Sequence, residues 1–78
     1  MNKDEVRSII EATLKSGSNN PGIFDLPKIL GIRSKLESCS TIPDVIGVLE
    51  AHRELVCKSF GLSGGIFEEG IDKLNALA

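Results

Sequence analysis

The chain has no tryptophan and no tyrosine, and its only aromatic residues are Phe24, Phe60 and Phe67. A core without large polar-tipped rings has to come from leucine, isoleucine and valine, which the chain has in quantity. Histidine is nearly absent too. His52 stands alone, and Cys39 and Cys57 lack the close spacing of metal ligands, so neither a metal nor a cofactor is expected from these residues. An excess of charge is also missing. A net charge of −2 and a pI near 5.3 supply none of the concentrated positive field that a non-specific nucleic-acid binder uses. No stretch approaches the roughly 18 apolar residues of a membrane span, and MNKDEVRS at the start lacks the apolar run of a secretory signal. The expected location is therefore cytoplasmic, with both thiols reduced. If Cys39 and Cys57 end successive antiparallel helices, a rise of 1.5 Å per residue sets them about 20 Å apart, beyond disulfide reach.

What remains is enough for one domain, residues 1–78, because half of so short a chain could not bury a core of its own. Period-two alternation nowhere persists without an equally good helical reading, so the expected class is all-α. The pattern predicts a small orthogonal or up-down bundle of four helices, roughly 3–15, 26–38, 42–60 and 66–77. A break at Gly31 would make five.

The best-marked helix is 42–60. Thr41 is a suitable N-cap, Pro43 needs no donor in the first turn, and Asp44 sits near the positive end of the dipole. Phe60-Gly61-Leu62 forms a Schellman ending, with Gly61 in the left-handed conformation. At 100° per residue Ile42, Val45, Ile46, Leu49, Val56 and Phe60 share one side, and Val48 and Leu55 widen the arc to roughly 200°, more than one neighbour covers. This makes it the expected central helix.

The other ends are less strongly marked. Asn2 with Glu5 begins the first helix in the manner of a capping box, and Gly17 is placed to stop it. Asn20-Pro21-Gly22 suits a type II turn in the longest and most mobile connection. Asp25 is the expected N-cap of the second helix, with Phe24 stapled onto Ile29.

Individual motifs mostly have plain explanations. His52 falls at the edge of the apolar arc and reads as a half-buried structural residue. Gly61-Leu62-Ser63-Gly64-Gly65 matches G-x-S-x-G, but that elbow works at a strand-to-helix turn, and no strand is expected. Glu68 and Glu69 already place negative charge where the glycines could have held an anion. GIFD at 22–25 and GIFE at 65–68 are too short to indicate a repeat.

Two stretches resemble known families. Leu26-Pro-Lys-Ile-Leu-Gly-Ile-Arg-Ser-Lys-Leu36 resembles a helix-turn-helix DNA-binding motif, in which the glycine makes the turn; that resemblance gives Arg33, Ser34 and Lys35 the contacts to DNA. It departs from the pattern at Pro27 and in the early position of Leu36. Lys28, Arg33 and Lys35 against Asp25 and Glu37 leave that segment at only +1. Over more of the chain, the acidic helical pattern, Leu30-Gly31 before Ser34, and the final EEGIDKLNAL look like an acyl carrier protein. That family attaches phosphopantetheine to the serine of Asp-Ser-Leu at a helix start, which would implicate Ser34. Here Arg33 and Lys35 flank it instead.

No acid–base pair, ligand cluster or cofactor fingerprint rises above these resemblances. The expected function is a non-catalytic protein–protein interaction or regulatory module, its apolar surface completed by self-association or by another protein. Ile32, Val48 and Leu55 are the expected contact residues for such a partner, the alternative being that a fourth helix of the same chain covers them.

Overall fold

The computed structural model describes residues 1–78 and contains five helices and no strand: α1 (Lys3–Lys15), α2 (Leu26–Glu37), α3 (Ile42–Ala51), α4 (Arg53–Phe60) and α5 (Gly64–Asn75). Four of the helix ends follow from local chemistry. Asn2 Oδ1 accepts from the Asp4 and Glu5 N–H groups at 3.0 and 3.2 Å, Thr41 Oγ1 accepts from Asp44 N–H at 3.2 Å, and Ser63 Oγ accepts from Ile66 N–H at 3.1 Å. Ser63 thus starts α5 two residues earlier than the spacing of its apolar residues indicates. At the other end of α4, Gly61 has φ +64°, and Leu62 N–H closes the Schellman bond to Cys57 O at 2.9 Å.

The core lies where α5 meets α1 and α3. Val45, Phe67, Ile71 and Leu74 are all buried, Val45 and Leu74 completely. α1 and α5 approach so closely that a side chain on Gly70 would run into Thr13, whose hydroxyl donates to Ile9 O at 2.8 Å. α2 packs on the other flank of α3. The radius of gyration, 11.6 Å, is close to the roughly 11.5 Å expected of a compact chain of this length.

The central helix is not continuous. It bends at His52, which has φ −114° and ψ 17°, and whose N–H is shared between Val48 O and Leu49 O, each at 3.2 Å. No proline or glycine stands at the bend, and α4 beyond it is anchored at both ends. At its start Arg53 pairs with Glu50 at 3.7 Å and with Glu68 of α5, and its guanidinium stands 4.7 Å from the Phe67 ring centroid. At its end Phe60 O and Gly61 O accept from Asn19 and Ser18 N–H at 3.0 and 3.3 Å. The bend also divides the wide apolar arc: Ile42, Val45 and Leu49 belong to α3 and Val56 to α4.

α2 runs unbroken through Gly31, as expected of a single helix over 26–38, and Gly31 lies on its exposed side with open space around it. Other local expectations need correcting. Gly17 does not terminate α1 through positive φ; it is small because a Cβ there would lie 1.9 Å from Phe60 O. The same contact pins the first half of the α1–α2 connection instead of leaving it loose. Gly22 lacks the positive φ of a type II turn, and its carbonyl accepts from Asp25 and Leu26 N–H at 3.1 and 2.9 Å, leading helically into α2. Asp25 makes no cap bond. Its carboxylate turns to α4 and accepts from the buried Ser59 hydroxyl at 3.4 Å. Phe24 staples nothing and is 86% exposed.

Candidate binding groove

α1 and α2 scarcely touch. They run antiparallel: Lys3 Nζ donates to Glu37 O at 3.0 Å, joining the start of one to the end of the other, while Leu14 and Leu26 flank the opposite end. Between them lies an open apolar groove of about 350 Å³, within the usual range of ligand-sized sites. Its floor is core: Val6 of α1, Ile32 of α2, Leu49 of α3 and Val56 of α4 are all buried.

The lips are different. Met1, Leu26 and Leu30 border the groove and remain 46–50% exposed. Ile23, one turn before Leu26, is 82% exposed. The Leu26 N–H bond to Gly22 O carries the helical path back over this turn, so Ile23, Leu26 and Leu30 fall at i, i+3 and i+7 on one side of α2. That is the anchor spacing of a helix that seats in a groove. Charges of both signs stand along the rim. Arg33 pairs with Glu37 at 3.5 Å, whereas Arg7 and Glu11, one turn apart on α1, take part in no ion pair within the chain.

Of the contact residues expected from the sequence, Ile32 reaches the groove at its buried floor, and Val48 and Leu55 are half-buried against the core. The exposed apolar surface at the groove belongs to the lip residues. The sequence did hold a signal for them: α2 has apolar residues at 26, 29, 30, 32 and 36, more of its circumference than one neighbouring helix covers.

Arg33, Ser34 and Lys35 are exposed on the last turns of α2. The turn that a helix-turn-helix places at the glycine is absent. Ser34 lies eight residues into α2, not at a helix start, and its carbonyl accepts from Ser38 N–H at 3.2 Å. The feature that each resemblance needed is therefore missing.

Away from the groove, Cys39 is buried and Cys57 half-buried, and both are free thiols. Burial pushes the Cys57 thiol above its ordinary value, against the opposing pull of Arg53. Arg53 itself is raised, first by its hydrogen bond to Glu68, as befits a surface clasp. His52 is half-buried at the bend. No helix is long and apolar enough to cross a membrane.

Compared with known proteins, the chain matches no protein-family model, and no curated protein or solved structure matches it.

Proposed function

We infer that this is a non-catalytic interaction module of the cytoplasm that docks the apolar helical face of another polypeptide over the α1–α2 groove. One observation carries the reading: a groove floored by core residues is bordered by leucines left about half exposed, in a molecule otherwise as compact as its length allows. Leaving such a surface in water forgoes about 25 cal/mol for each Å² that a partner would cover. A groove whose lining is mainly aliphatic offers a ligand little beyond shape and apolar contact. That suits the face of an amphipathic helix, with the mixed rim charges setting its register.

A photo-crosslinking residue at position 30 tests this in the cell, with the same residue at Asp72, exposed on α5 away from the groove, as the control. Protein adducts at 30 and none at 72 are expected. Equal labelling at both positions, or no protein adduct at 30, would contradict the reading.

A further inference from the structure

We propose that the occupant of this groove is a second copy of the same chain, stacked groove to groove about a two-fold axis that crosses α1 and α2 at right angles. The proposal rests on the reading of the groove as a protein-binding face and names its partner.

Charge supplies the first argument. Arg7 and Glu11 have opposite signs, lie one helical turn apart on the groove rim, and have no ion partner in their own chain. A two-fold axis midway between them sets α1 antiparallel on its copy, so that Arg7 faces the copy's Glu11 and Glu11 faces the copy's Arg7. This reciprocity is what an isologous contact demands. The same register puts Lys3 opposite Lys15 at the ends of the layer, where solvent screens the repulsion and Lys3 is already held by Glu37 O.

Topology supplies the second. Because α1 and α2 are already antiparallel, this axis makes every neighbouring pair in the combined layer antiparallel, the arrangement of an up-down four-helix bundle. The two half-grooves then become the interior of that bundle. Leu30 lies near the axis and meets its own image, while Leu26 beyond it falls opposite the copy's Leu36.

Area sets the strength. A face about 18 Å long and two helices wide projects roughly 400 Å² per copy, near the lower bound of about 1,000 Å² in total for a specific interface once its ridges are counted. The dimer should therefore be weak and in exchange with the 8.4 kDa monomer.

Sedimentation equilibrium from micromolar to millimolar protein tests this, with far-UV circular dichroism to show that each variant is folded. The wild type should pass from monomer to dimer. Leu30→Glu should remain monomeric with unchanged helix content, since Leu30 is half exposed in the monomer. Arg7→Glu should weaken dimerisation roughly tenfold by setting like charges opposite each other twice, and Arg7→Glu with Glu11→Arg should restore it. A wild type that stays monomeric throughout, or a dimer indifferent to Leu30→Glu, overturns the proposal. A monomer that still gives adducts of another protein at position 30 removes the second copy and leaves the groove's function standing; no protein adduct of any kind removes both.

Discussion

The two flanks of α3 are built to different standards. On the α5 side, Gly70 lets α1 approach until Thr13 fills the space, and Leu74 is 1% exposed. On the α2 side, α1 stays apart from its neighbour and Leu30 is left 50% exposed. Both sides use the same aliphatic residues, so composition does not distinguish them. What does is backbone approach: a small residue at the crossing closes one side, and on the other the Lys3–Glu37 bond and the pinned 17–19 segment hold the ends of α1 and α2 while the middle gapes. An apolar face that ends in a gap, not in a packed neighbour, is where we propose that a partner binds.

The comparison breaks first if the closed side is not the stable one. A 78-residue domain has about 4–12 kcal/mol of total stability, and Leu74→Ala should remove about 3 of it. Urea unfolding monitored by circular dichroism should show this as a large fall in midpoint, while Leu30→Ala in dilute solution should stay within about 0.5 kcal/mol of wild type. Gly17→Ala comes next. Its Cβ would overlap Phe60 O, and backbone must move, so a loss of about 2–3 kcal/mol is expected in the same assay. Removing a cap should be milder: Thr41→Ala and Ser63→Ala should each cost about 1 kcal/mol. The smallest effect has the opposite sign. Gly31→Ala should raise stability by up to about 1 kcal/mol, because Gly31 is helical, exposed and free of neighbours within 4 Å. Destabilisation there would mean that Gly31 is needed for a conformation other than the helix.

Much of this fold is legible from local rules. Asn2, Thr41 and Gly61 mark helix ends because capping is a short-range hydrogen-bond problem that a few residues solve among themselves. The errors arise where a residue's partner is distant in sequence. Asp25 has the chemistry of a cap but spends its carboxylate on Ser59, and Gly17 looks like a stop but is dictated by Phe60. The bend at His52 carries no local mark, and the contacts that hold α4 beyond it, Arg53 to α5 and Phe60 and Gly61 to the first connection, are distant in sequence. The groove was half legible. A surplus of apolar residues on two helices pointed to an incompletely covered surface, but periodicity cannot say which flank a fifth helix covers. Val48 and Leu55 are half-buried against the core, the covered alternative, while the exposed apolar residues are the lips of α2.

Methyl chemical shifts followed as the protein is concentrated test the asymmetry and the proposed self-association through its open flank together. The account predicts that Ile23, Leu26 and Leu30, with Leu14 across the groove, move progressively while Val45 and Leu74 stay still. Shifts confined to α5, or no movement at any concentration, would contradict it.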